Sequence, residues 1–420
     1  MEEKLIDLET KPNEKYSRCR LICYGILTLI IIIVIIIIIV LIKAKNNLVY
    51  YLEKMGYVEP WYDLYGEKIE NIPYFKDDKI INSFKKDGKN YNETIGEINN
   101  GKDYQKNERN YYDLYIPYST TLRKDKINKI ILFIHGGAWI QGSKSDVSYF
   151  CSRYAKMGFI TATLGYTLLL EKYKEYSIFR ILDEITSCIE NIKEQLKNKG
   201  FDTNKLEMAI GGVSAGAHLS LLYGFKIKNT PIPIKFIIDI VGPISLEIDD
   251  WYKVENNNTL ENIEPENIEN ALKDNKIVKI FGENDDVLIK IMNTFIGNKY
   301  NEKELKEMVD SKNKIKKDNE KYKTLYKIAN NLFPINYINY DTVPVICEYG
   351  GNDSIVGIIG YSKMKKLFDQ YNRKIELVYM RYGGHFLESI NTENGMEAIR
   401  KIHFKILEFA NTYFTPDDQL

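Results

Sequence analysis

The residues of this chain that could do chemistry are one glycine-flanked serine and a small set of histidines and aspartates. Gly212-Val213-Ser214-Ala215-Gly216 is a G-x-S-x-G. A serine hydroxyl is a weak nucleophile. It needs a base to take its proton and an acid to orient that base. The chain has four histidines to choose from. His403 sits among Ile402, Phe404 and Ile406 in a helical run and reads as structural. His218 lies one turn past Ser214, too close in sequence to reach back over the bend. His135 opens His135-Gly136-Gly137, where an imidazole more often braces a loop than moves protons. His385 follows an apolar run through Arg381-Tyr382-Gly383-Gly384, a flexible turn past a strand end, and is the expected base. Asp353, on Gly350-Gly351-Asn352-Asp353 after another apolar run, is the expected acid. Asp285 and Asp286 form a similar pattern inside a polar block, with no sheet pattern around them.

These groups are useful only if a framework brings them together. Met208 to Val213 has the length and composition of a buried strand, and Ala215 to Phe225 reads as a helix. A strand that turns at once into a helix must bend sharply, and the serine sits at the bend. Gly212 and Gly216 let neighbouring backbone pass where a Cβ would clash. The helix N-terminus then points N–H groups at the place where an oxyanion would form. Further strands are expected at Tyr111 to Ile116, Lys129 to Ile134, Phe159 to Gly165, Lys235 to Val241, Val343 to Tyr349 and Ile375 to Met380. Helices are expected at Asp146 to Met157, Ile178 to Lys199 and Met396 to Phe409. Continuous apolar strands alternating with helices predict an α/β fold, a mostly parallel sheet covered on both faces. Asp249 to about Asn330 is strongly polar, with a helical run at Glu302 to Lys317. It reads as a helical insertion, or cap, before the acid strand.

The loop Gly136-Gly137-Ala138 directly follows the strand ending at Ile134. Small residues there leave backbone N–H groups open to an acyl oxygen. The expected oxyanion hole is Gly137, Ala138 and Ala215, with His135, Gly136 and Trp139 supporting the loop. The chain order Ser214, Asp353, His385 is the Ser…Asp…His order of the α/β-hydrolases.

His135-Gly136-Gly137-Ala138-Trp139 with Gly142, and Gly212-Val213-Ser214-Ala215-Gly216-Ala217-His218, resemble motifs of one α/β-hydrolase branch. That branch includes hormone-sensitive-lipase-like and feruloyl-esterase-like carboxylesterases, isoprenylcysteine methylesterases and kynurenine formamidases. The resemblance covers about Tyr111 to Phe409. Phe333-Pro334 also resembles the stretch before the acid strand, where Ser-Pro is usual, and Ala138 stands where the branch has a third glycine. The resemblance implies acyl-transfer hydrolysis without a cofactor, with Ser214, Asp353 and His385 as the triad. An arylformamidase or other amide hydrolase shares the motifs. A tethered binding protein without chemistry is the reading from another class, and such proteins normally lose the serine or the histidine.

Lys and Arg number 58, as do Asp and Glu, so no nucleic-acid or polyanion partner is indicated. The expected partner is a small-molecule ester, a lipid-like one included. The five cysteines show no C-x-x-C and no histidine at metal spacing, so no metal is expected, and Cys188 and Cys347 read as buried thiols. Residues 1–20 are polar, and Leu21 to Ile42 is almost wholly Ile, Leu and Val. As a helix this run is roughly 33 Å long, enough to cross a hydrocarbon core of about 30 Å. It is longer than a signal-peptide core and is followed by Lys43-Ala44-Lys45, so an uncleaved single-pass transmembrane helix is expected. Residues 43–108 read as a linker and irregular N-terminal packing, and 109–420 as the catalytic domain. Lys15, Arg18 and Arg20 before the span favour a cytoplasmic N-terminus and an extracytoplasmic catalytic domain.

Overall fold

The computed structural model describes residues 65–75, 110–121, 123–169, 176–245, 287–311, 314–351, 353, 355–380, 383–385 and 393–416. Its frame is an eight-stranded sheet: β1 (Gly66–Pro73), β2 (Tyr111–Pro117), β3 (Asn128–Ile134), β4 (Ile160–Leu164), β5 (Leu206–Val213), β6 (Ile234–Ile240), β7 (Val345–Gly350) and β8 (Ile375–Met380). The strands lie side by side in the order β1-β2-β4-β3-β5-β6-β7-β8. β1 and β2 pair antiparallel, as do β2 and β4, and all the other neighbours are parallel. In β3, Ile130, Ile131, Leu132, Phe133 and Ile134 are all fully buried, which requires cover on both faces.

That cover comes from helices α1 (Ser148–Lys156), α2 (Ile178–Asn198), α3 (Ala215–Lys226), α4 (Val287–Phe295), α5 (Glu302–Glu307), α6 (Glu320–Asn330), α7 (Ile358–Gln370) and α8 (Glu393–Tyr413). One core holds Ile130, Leu132 and Ile210 together with residues of α2, α3, α4 and α7. The other holds Ile131, Phe133 and Phe236 with Phe150 of α1 and Ile402, Ile406 and Phe409 of α8. α2 shows how such a helix arises. Ile181, Ile185, Cys188, Ile189, Ile192 and Leu196 recur at helical spacing and are all fully buried. Each large aliphatic side chain among them contributes about 1.5–3 kcal/mol by leaving water. Ser177 caps the start by accepting from the Arg180 N–H at 3.3 Å, and Gly200 follows the end at φ 85°.

Three expectations need correction. Residues 43–108 read as a linker and irregular packing onto the domain, yet within them Gly66–Pro73 forms a regular strand, β1, paired with β2. As an edge strand it is half polar, its register shifts between Ile69 and Ile72, and Asn71 takes a φ of 55°, so no alternation is visible in the sequence. The helix expected over Glu302 to Lys317 stops at Glu307, and Val309 bridges Ile315 instead. The insertion expected to be polar contains α4, whose Ile289, Met292 and Phe295 are fully buried in the first core. Among the described residues no helix is long and apolar enough to cross a membrane. The expected span Leu21 to Ile42 lies outside them, as do residues 249–286 of the expected insertion.

Candidate active site

β5 delivers Ser214 to the C-terminal edge of the sheet. Its backbone bends there at φ 55° and ψ −119°, a conformation rare for a residue with a side chain. The bend is held by the Ser214 N–H donating to Ile240 O at 2.8 Å, and by the His218 N–H donating to Ser214 O at 3.0 Å. A Cβ on Gly216 would lie 2.1 Å from Ile134 O, so only glycine lets α3 start this close to β3.

Asp353 and His385 come from the turns after β7 and β8. A Cβ on Gly350 would lie 2.2 Å from Gly383 O, so the bare glycine allows the two turns to touch. Gly351 and Gly383 both donate their N–H to Met380 O, at 2.8 and 3.0 Å. His385 Nδ1 then stands 2.8 Å from Asp353 Oδ2, and His385 Nε2 stands 2.8 Å from Ser214 Oγ. The other carboxylate oxygen, Asp353 Oδ1, accepts from the N–H groups of Ile355 and Val356 at 2.8 and 2.9 Å. A carboxylate can only accept, so Nδ1 carries the proton and Nε2 is left to receive the serine hydroxyl. Asp353 is 1% exposed and His385 5% exposed, so the contact between them is shielded from water.

The other histidines are held elsewhere. His403 Nδ1 lies 2.7 Å from the Tyr154 hydroxyl, and burial pushes its pKa down to about 3. His218 Nε2 lies 3.0 Å from Leu332 O, and burial pushes its pKa down to about 4. His135 stacks on Tyr166 with ring centres 4.2 Å apart, and its Nδ1 lies 2.7 Å from Gly136 O.

Ser214 and His385 open into a cavity of about 480 Å³. One wall is Gly136, Gly137, Ala138, Gln141 and Gly142, and Val147, Tyr149, Val213, Ile240 and Ile355 add apolar surface. Gly137, Ala138 and Trp139 run at φ 106°, 51° and 64°, three successive left-handed residues that turn the loop sharply off β3. Ala215 is buried at the first position of α3 and is not among the cavity's lining residues. Trp139 packs away from the cavity, its ring 4.7 Å from Phe295 and 5.2 Å from His218. No residue of α4, α5 or α6 lines the cavity. Sequence reasoning did not single out Gln141, Tyr149, Ile240 or Ile355. The paired N–H donors of Ile355 and Val356 were legible only as a short apolar pair after the acid turn. Among the described residues, no group of three or more His, Cys, Asp and Glu could hold a metal ion. Cys151, Cys188 and Cys347 are free and buried, and burial pushes each thiol up.

Residues 112–368 match the BD-FAE family over more than half of the chain. The chain belongs to the BD-FAE family. Over 117 residues this BD-FAE chain is 30% identical to a probable isoprenylcysteine alpha-carbonyl methylesterase of Arabidopsis thaliana, covering 28% of this chain and 25% of that protein. Over 111 residues it is 29% identical to esterase LipC of Mycobacterium tuberculosis, covering 26% of each. The match therefore spans about a quarter of the length of these curated relatives. Among solved structures, a truncated carbohydrate esterase from gut microbiota aligns with a TM-score of 0.48 and 15% identity, over 82% of this chain and 98% of that one. Esterase B from Lactobacillus Rhamnosis aligns with a TM-score of 0.47 and 13% identity, over 89% and 98%.

Proposed function

We propose that this chain is a serine hydrolase of carboxylic esters, working through Ser214, His385 and Asp353 and an acyl-enzyme intermediate. The observation that carries this reading is the pair of 2.8 Å contacts that join the serine to the histidine and the histidine to the aspartate. Ser214 Oγ attacks the ester carbonyl while His385 Nε2 takes its proton. Asp353, with Oδ1 occupied by two backbone donors, keeps its other oxygen on Nδ1 and stabilises the imidazolium. The tetrahedral oxyanion is held by the N–H groups of Gly137, Ala138 and Ala215. His385 then protonates the leaving alcohol, and water repeats the cycle on the acyl-enzyme. The names of the curated relatives, a methylesterase and an esterase, support the same chemistry. The apolar wall of Val147, Val213, Ile240 and Ile355 suits an ester with an apolar group beside the carbonyl.

The test is labelling with a fluorophosphonate, followed by turnover of an acyl-ester chain-length panel with N-formylkynurenine alongside. Labelling at Ser214 with ester turnover supports the reading, and Ser214→Ala abolishes both. Labelling at another serine with activity intact overturns the assignment. Turnover of the formamide but no ester moves the chain to the amide class.

The anchor and the cap belong to this proposal as well. Leu21 to Ile42 holds the protein in a membrane as a single span, with the catalytic domain on the extracytoplasmic side. External protease on sealed vesicles should digest the catalytic domain, and protection until permeabilisation would reverse the orientation. The insertion, Asp249 to about Asn330, shapes acyl preference as a cap, although its described helices α4 to α6 do not line the cavity. Trimming the insertion should change chain-length preference more than acetate-ester turnover. An unchanged preference counts against a cap.

A further inference from the structure

A second acid–base pair lies beyond the triad. Lys144 is 4% exposed, and so is Asp113. The Lys144 ammonium reaches both oxygens of Asp113, at 2.9 and 3.0 Å. Asp113 lies on β2, two strands away from β3, where the Gly136–Ala138 loop begins. Asp113 Oδ1 also accepts from the Asn71 N–H at 2.9 Å, within the stretch where β1 shifts register.

The stretch between Gly137 and Lys144 is tied largely to itself. Ile140 and Gln141 donate their N–H groups to Gly137 O at 3.1 and 3.0 Å. Ser143 N–H donates to Asp146 Oδ2 at 2.9 Å, and Asp146 N–H returns to Ser143 O at 3.0 Å. Gly142 sits so close that a Cβ would lie 2.6 Å from Gly136 O. A segment bonded within itself moves as a unit and needs an external reference. Leu169 N–H gives one by donating to Trp139 O at 2.8 Å. Lys144 gives the other, at the far end of the loop.

We infer that Lys144 and Asp113 are positioning residues for the oxyanion hole, fixing the Gly137–Ala138 loop to the β1–β2 edge of the sheet. A buried ion pair is a poor stabilising device, because two charges must leave water and an apolar pair of similar size often does as well. Its advantage is direction: an ammonium shared by two carboxylate oxygens holds one geometry. An oxyanion donor displaced by a fraction of an ångström loses its differential grip on the transition state while substrate binding is unchanged.

The inference rests on the ester-hydrolase reading, and the experiment separates the two. Lys144→Met should lower kcat about 10- to 100-fold on a small ester, with KM changed by no more than about threefold. The rate at which a fluorophosphonate modifies Ser214 should fall by a similar factor, since that reaction also develops charge in the hole. Lys144→Met leaves the buried Asp113 charge without its cation and should lower Tm for that reason alone. The double variant Lys144→Met with Asp113→Asn removes both charges and keeps an oxygen for the Asn71 N–H, so it should recover Tm but not kcat. If kcat and phosphonylation recover together with Tm, the pair is only structural and the inference falls. If the wild type turns over no ester but Ser214 is phosphonylated, the ester reading fails and the phosphonylation rates alone decide the inference.

Discussion

Asp353 and Glu348 are five residues apart at one end of the sheet, both 1% exposed, yet their environments are opposite. Asp353 has donors on both oxygens: two backbone N–H groups and the His385 imidazole. Glu348 lies in register between Ile240 and Val378, and its Oε1 has no hydrogen-bond partner. With nothing to offset desolvation, burial pushes the Glu348 carboxyl up to about 8. Asp239, on β6, is intermediate. It accepts from the Tyr349 hydroxyl at 2.8 Å and the Gly242 N–H at 2.9 Å, and burial pushes it up only to about 7. Burial alone therefore does not mark a working acid. Donors aimed at a carboxylate oppose the desolvation that drives an unpartnered one to take up a proton.

The comparison breaks first at Asp353. Asp353→Asn should lower kcat by about 10³- to 10⁴-fold on any ester the wild type accepts, because the amide can no longer hold the productive tautomer of His385. Glu348→Gln should leave kcat within about threefold, since Glu348 sits inside β7 between Ile240 and Val378 and does not line the cavity. If Asp353→Asn and Glu348→Gln changed places in severity, the wrong carboxylate would have been assigned to the triad.

Glu348→Gln should act instead on stability. The folded carboxyl binds its proton up to about pH 8, whereas the unfolded one releases it near 4.5. The unfolded state therefore binds fewer protons in that window, and stability falls as pH rises through it, by at most about 1.4 kcal/mol per pH unit for one group. Asp239 adds the same sign between 3.8 and about 7. Urea unfolding at pH 5, 7 and 9 should show the decline in the wild type and a smaller one in Glu348→Gln. Equal slopes would mean that Glu348 is ionised in the fold.

The histidines sharpen the contrast on the acid side. His403 is buried with a pKa near 3 against an ordinary 6.5, so the unfolded state gains the proton first and stability is lost as pH falls from 6.5. His403→Phe should flatten that acid limb in a urea titration and leave kcat unchanged, at some cost from the lost Tyr154 contact. An unaltered limb would place the titration on another group. The smallest effect is expected at Ala138→Gly. The change relieves a φ of 51° but adds backbone entropy to the unfolded chain, so Tm should move by no more than a few degrees, about 1 kcal/mol.

Much of the site was legible because its chemistry is local. The run Leu206 to Val213, the Gly-x-Ser-x-Gly bend and the helix from Ala215 lie within one short stretch, and strands buried on both faces betray themselves by unbroken apolar runs. Asp353 and His385 were readable as turn residues past such runs. What the sequence could not show is what depends on a partner strand or a distant loop. β1 is a strand only because β2 pairs with it, and its own residues carry little strand preference. α4 reads as part of a polar block, yet Phe295 closes on Trp139, 156 positions earlier in a chain numbered from Met1. Lys144 and Asp113 are ordinary surface-type residues in the sequence, and burial beside each other is what makes them an ion pair. The sequence by itself determined which residues could act as nucleophile, base and acid, since those roles are properties of side-chain type at strand ends. Only the tertiary structure decided which of the buried charges are satisfied, because hydrogen-bond donors reach them from elements far apart along the chain.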